Sequence, residues 1–196
     1  KNAYYHLGGC FIILKNKQSA RNAFQFASQM DFDKSVKEDA LFNYAKLSYE
    51  LNFQSVAVNA LRDYVKQYPG TKKSDEANEL LAQVYLSTRN YKDALAALES
   101  IPNKSPRAAK AYQKVAYYRG VEFFNDRDYQ KAADLFTKAI VANHDESIRA
   151  LAMYWKAESF YALGRYEDAV KQYRIFIFNP SSINTPVYNT ANYGLG

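Results

Sequence analysis

The chain has 196 residues, 48% hydrophobic, 23% charged and 16% aromatic, a composition that can offset chain entropy by burial and so excludes intrinsic disorder. Its longest apolar run, Leu7 to Leu14, falls well short of the roughly 18 residues that a membrane-spanning helix needs. One cysteine excludes an internal disulfide framework, and a net charge of +6 is weaker than that of a dedicated nucleic-acid binder.

The first residue is not Met, helical patterning starts at once, and the last residues open another helix, so both ends read as cuts through a longer polypeptide. Leu7-Gly8-Gly9-Cys10 resembles the cleavage box of a bacterial lipoprotein. Such a box follows a charged start and an apolar run, whereas Lys1 to His6 is polar and aromatic, so the segment reads as part of a packed helix. Cys10 is expected to be buried there. Apolar periodicity predicts helices at 2–15 and 18–30, 36–51 and 54–68, 74–87 and 91–100, 106–124 and 129–141, and 147–162 and 166–178, with a last one after Pro186. Turn chemistry falls between them at Asn52, Asn90, Asp126 and Gly164, and Pro69, Pro102, Pro106 and Pro180 separate the pairs. No stretch alternates with period two, and Ile175 to Phe178, the nearest approach to a strand, is helical by its phase.

The helices come as repeating pairs. Ala20, Ala57, Ala94, Ala132 and Ala169 are 37, 37, 38 and 37 residues apart. Twelve residues before each stands another small residue: Gly8, Ala45, Ala82, Gly120 or Ala157. Four residues after each comes a large apolar one: Phe24, Leu61, Leu98, Phe136 or Tyr173. Two small positions per unit are what a close helix crossing demands, because bulk at the contact would hold the backbones apart.

This spacing resembles the tetratricopeptide repeat. Its clearest copies run from Ala82-Gln83-Val84-Tyr85 to Asn90-Tyr91-Lys92-Asp93-Ala94 and from Ala157 through Leu163-Gly164-Arg165-Tyr166-Glu167-Asp168 to Ala169. The period is longer than the usual ~34 residues by about one helical turn. Lys17 and Gln54 stand where an aromatic is usual, and Arg119 and Lys156 replace a common leucine. The resemblance implies an all-α, right-handed superhelical solenoid of about five antiparallel helix hairpins. As a single array over residues 1–196 its units run 1–34, 36–69, 73–102, 106–142 and 146–180, and a sixth starts at 187–196. Asp63 to Pro69, followed by Ser74-Asp75-Glu76-Ala77, is similar to units of bacterial cell-envelope members, which tilts the expected setting toward the envelope or periplasm.

The resemblance further implies a scaffold whose first helices line a concave groove for a peptide or helix of a partner protein. Groove positions are expected three before and four after the small residue, which selects Tyr5 and Ile12, Phe42 and Tyr49, Glu79 and Leu86, Tyr117 and Phe124, and Tyr154 and Tyr161. Tyr5, Phe42, Tyr49, Tyr117, Phe124, Tyr154 and Tyr161 form an aromatic ladder, and Lys46 lies with Asn43 on the same helix; these rings and Lys46 are the expected partner-binding residues. A spacing of seven is equally that of a core seam, so each ring has two candidate places. Lysine is missing from the positions by which some members clamp a chaperone's terminal carboxylate. His6 and His144 fall in different units, Cys10 has no base beside it, and Gly8-Gly9 is not a phosphate loop. No catalytic residue, metal or cofactor is expected. The rival class is a helical repeat that binds nucleic acid. Against it, the basic excess sits at Lys15, Lys17, Arg21, Lys34 and Lys37 instead of running along successive units.

Overall fold

The computed structural model describes residues 2–31 and 33–195. Among these there are eleven α-helices and no strand: α1 (Ala3–Ile13), α2 (Lys17–Ser28), α3 (Lys34–Glu50), α4 (Gln54–Gln67), α5 (Lys72–Ser87), α6 (Tyr91–Glu99), α7 (Pro106–Asn125), α8 (Tyr129–Ala142), α9 (Glu146–Ala162), α10 (Tyr166–Ile177) and α11 (Tyr188–Leu195). The ends of the ten paired helices fall within two residues of their sequence-predicted positions. A 3-10 turn at Pro180–Ser182, not foreseen from the sequence, precedes α11. None of the described helices is long and apolar enough to cross a membrane.

Each hairpin closes through three linking residues whose middle member is left-handed: Lys15, Asn52, Arg89, Arg127 and Gly164, with φ of 58°, 61°, 57°, 63° and 73°. The next residue donates its N–H to a carbonyl five positions back, as in Asn16 to Phe11 (2.9 Å), Phe53 to Ser48 (2.9 Å) and Asp128 to Phe123 (2.8 Å). This is the Schellman closure, which satisfies carbonyls left open at a helix end. Asn52 and Gly164 fill the left-handed slot as their residue types favour, whereas Asn90 and Asp126 stand one residue to either side of it, beside Arg89 and Arg127. A side chain with a Cβ is strained in that slot. Arg127→Gly is therefore expected to raise the unfolding free energy by about 0.5–1 kcal/mol in a urea titration. An unchanged or lowered midpoint would mean that the slot carries no strain.

Hairpin starts are capped by side chains. The Asp33 carboxylate accepts from the Ser35 and Val36 N–H groups, Thr71 and Ser74 cap each other, and Ser105 caps α7 ahead of Pro106. The turn before α9 is held from inside by Gln113. This fully buried amide accepts from the His144 and Asp145 N–H groups and donates to the Asp145 carbonyl.

Contacts group the residues into two compact units, one running to Asn90 with Ala96–Ile101, the other holding Tyr91–Leu95 and the chain from Pro102. In the first, Ala20, Phe24 and Ala27 of α2 pack with Ala40 and Leu47 of α3, and Tyr5 and Phe11 of α1 lie against them. In the second, Ala132, Phe136 and Ala139 of α8 pack with Ala116 of α7 and Ala152 of α9, and a further core joins α9, α10 and Ala191 of α11. All five in-phase alanines are at most 1% exposed, as helix crossings require. The two units that carry Gly in the first small position carry Phe opposite it. A Cβ on Gly8 would lie 2.8 Å from the Phe24 ring, and one on Gly120 2.8 Å from Phe136. Hairpins with Ala in that place have Leu61, Leu98 or Tyr173 instead. Cys10, expected in the core, is exposed, because Gly8 and Phe11 take the inward side of α1.

Candidate functional site

The two rows of the expected ladder have different fates. Rings three before the small residue turn toward the second helix of their own hairpin. Tyr5 meets Phe24 edge-on at 5.7 Å, Phe42 packs on Tyr64 at 5.2 Å, Tyr117 on Phe136 at 6.0 Å, and Tyr154 on Phe176 at 5.7 Å. Phe42 and Tyr154 are each 6% exposed and offer a partner no face, which corrects their place in the ladder. Tyr5 and Tyr117 are half-buried, and the Tyr5 hydroxyl is 3.3 Å from the Asp39 carboxylate, which also binds Lys73. Burial raises the Tyr117 pKa, against a bond from Trp155 that lowers it.

Residues four after the small position keep side-chain surface. Tyr49, Leu86 and Phe124 are half-exposed, Ile12 is exposed, and Tyr161 is 58% exposed. These residues flank the turn of their hairpin. In the first unit Tyr49 borders a cleft of about 440 Å³ between α3 and α5, lined also by Glu50, Asn52, Gln54, Gln83, Val84 and Ser87. The amides of Asn52, Gln54 and Gln83 are suited to a peptide main chain, since each offers both a donor and an acceptor. Lys46 is paired with Glu76 at 2.7 Å and lies 5.8 Å from the Phe42 ring, so its charge is already partnered within the first unit. In the second unit Phe124 sits edge-on to Tyr129 (5.2 Å) and Trp155 (5.0 Å), and Tyr161 edge-on to Tyr166 (5.5 Å). Lys156, next to Trp155, has its pKa lowered by burial and partly restored by Asp134.

Tyr166 and Trp155 belong to these surface clusters but fell outside the sequence ladder. Tyr166 opens a second helix, α10, outside the first-helix positions that define the ladder. The basic cluster near the amino terminus is largely committed within the protein. Lys17 pairs with Glu50 (2.7 Å) and Lys37 with Asp31, while the Arg21 guanidinium donates to Ser48 and lies over the Tyr44 and Phe53 rings. Arg21 thereby staples α2 to α3, a role no motif marked.

Residues 45–109 and 117–183, well over half of the chain, match the tetratricopeptide repeat family. The chain belongs to that family. Tetratricopeptide repeats support a protein–protein interaction scaffold as the broad role and a protein as the class of partner. No curated protein matches the sequence. Among solved structures, a crystal structure of MamA is similar at 17% identity, covering 99% of this chain and 95% of its own, with a TM-score of 0.51. The MamA AMB-1 structure is similar at 18% identity, covering 96% and 94%, with a TM-score of 0.53. At such identity the similarity is one of fold, the all-α tetratricopeptide-type solenoid.

Proposed function

We propose that the chain is a non-catalytic scaffold of one repeat array over residues 1–196, binding a peptide or helix of a partner protein through the first-helix surface. Tyr49, Phe124 and Tyr161 are the anchors, Tyr166 and Trp155 extend them, and the Lys46–Glu76 pair gives a polar flank. The reading is supported chiefly by the division of the ladder: one row is spent on the core, while the other leaves rings at the surface in matching places. A half-exposed ring buries a large area on contact with little loss of rotamer freedom, the property that makes Tyr and Trp interface anchors. The amides beside Tyr49 suit a partner in extended conformation.

The test is capture of a protein partner by the purified chain, compared with the Tyr49→Ala/Tyr161→Ala variant. Capture is expected to fall about tenfold or more, with the thermal midpoint and far-UV helicity unchanged. Retained capture would exclude the aromatic row as the site. Repeating the titration over salt separates the nucleic-acid alternative, because phosphate-driven binding drops steeply with log salt whereas an aromatic contact changes little.

A further inference from the structure

The fourth hairpin departs from its relatives in the repeat at one place. Counted from the two small residues of each unit, Ala109, Val141 and Ala142 stand where the second hairpin has Lys34, Lys66 and Gln67 and the fifth has Glu146, Phe178 and Asn179. Longer side chains thus hold these positions in the other two. In the fifth hairpin Glu146 pairs with Arg149 at 3.3 Å and accepts from the Ser181 hydroxyl at 3.4 Å. In the fourth, α7 also begins about a turn earlier, 14 residues before its small residue against 11 for α3 and α9. A cleft of about 350 Å³ lies between this part of α7 and the end of α8.

Ala109 and Tyr112 of α7 with Val141 and Ala142 of α8 give the cleft apolar walls, and Lys104, Lys138 and His144 join its lining. The flanking chain is of one sign. Residues 102–118 and 135–144 contain no Asp or Glu, whereas they hold Lys104, Arg107, Lys110, Lys114 and Lys138. The Lys104 ammonium lies 5.2 Å from the centre of the Tyr112 ring. An ammonium carries three N–H donors, so a contact already made does not prevent it from binding a carboxylate. The buried Gln113 accepts from the His144 N–H at 2.9 Å and fixes that end of the cleft.

This lining suits a methylene chain and not a peptide. The Thr137 hydroxyl already donates to the Ala133 carbonyl at 2.8 Å, and among the described residues no amide side chain lines the cleft, in contrast to Asn52, Gln54 and Gln83 beside Tyr49. Peptide groups would lose water here without replacement, whereas methylenes gain by leaving it. At about 30 Å³ for each water-sized group, the space holds roughly a dozen heavy atoms. We infer that the cleft is a binding site for a medium-chain fatty carboxylate, its chain against Ala109, Tyr112, Val141 and Ala142 and its head at Lys104 and Lys138. The site is separate from the aromatic row and does not depend on it.

The probe is decanoate, and equilibrium dialysis against the full chain reads its binding. One saturable site is expected. Ala109→Glu introduces the fifth hairpin's residue near the start of α7, where a carboxylate favours the helix, so its thermal midpoint is expected to match the parent. It is expected to weaken decanoate binding about tenfold or more, and Ala142→Gln, the second hairpin's residue, to do the same by bulk alone. Decan-1-ol, with the chain but no charge, is expected to bind about tenfold more weakly than decanoate. No binding up to about millimolar decanoate, unchanged binding in either folded variant, or decan-1-ol bound as tightly as decanoate overturns the proposal. So does tighter binding of the peptide acetyl-Leu-Leu-Glu-amide that both variants abolish, since the occupant would then be a segment of a partner protein.

Discussion

Tyr154→Ala is expected to lower the unfolding free energy by about 3–5 kcal/mol, the range for deleting a buried aromatic side chain. The ring is enclosed by Trp155, Tyr173 and Phe176 at centroid distances of 5.4, 6.2 and 5.7 Å. Its removal leaves a cavity lined by three aromatics, none of which can move in without abandoning its own contacts. Its hydroxyl adds a smaller share. Glu158 accepts from Tyr173 at 2.6 Å, and burial together with that carboxylate raises the pKa of both the Tyr154 and the Tyr173 phenol. Tyr154→Phe keeps the ring and loses only the hydroxyl, so it is expected to cost only about 1 kcal/mol. Tyr161, seven residues on and mostly exposed, gives the contrast: its alanine variant is expected to stay within about 0.5 kcal/mol of the parent. Urea titrations of the three variants check the order. Equal losses at 154 and 161 would mean that the two rows are not divided between core and surface.

The helices and their pairing were legible because small residues recur at a fixed interval and cannot be replaced at a crossing without separating the backbones. Ala132 and Ala169 could be placed in the core from spacing alone for that reason. The ladder was only half legible. A ring three before the small residue and one four after it are a single heptad apart, and sequence spacing cannot say which meets the second helix. That depends on how far around the helix the crossing lies, a tertiary quantity. Phe42 and Tyr49 therefore look alike in sequence and differ in burial. Turn chemistry located the links, with Asn90 and Asp126 both between helices, but not the left-handed residue within each, which is fixed by the bond to a carbonyl five residues back. Cys10 misled in the same way as the ladder. Its counterparts in the next two units, Leu47 and Val84, are buried, whereas Cys10 is exposed, and repeat position alone does not tell the two apart.

Gly120→Ala is expected to lower the unfolding free energy by about 1–3 kcal/mol, although Ala is the better helix former. The new Cβ would lie 2.8 Å from the rim of the Phe136 ring, which is fully buried and has nowhere to retreat. The second hairpin supplies the remedy, since Ala45 there goes with Leu61, and both are fully buried. The double-mutant cycle of Gly120→Ala with Phe136→Leu is thus the most direct measurement of whether the hairpins repeat in register, small residue against large. The predicted result is a double variant more stable than the sum of the two single losses by about 1–2 kcal/mol. Strictly additive losses would contradict it, for they would mean that residues 120 and 136 do not share the crossing on which the repeat is built.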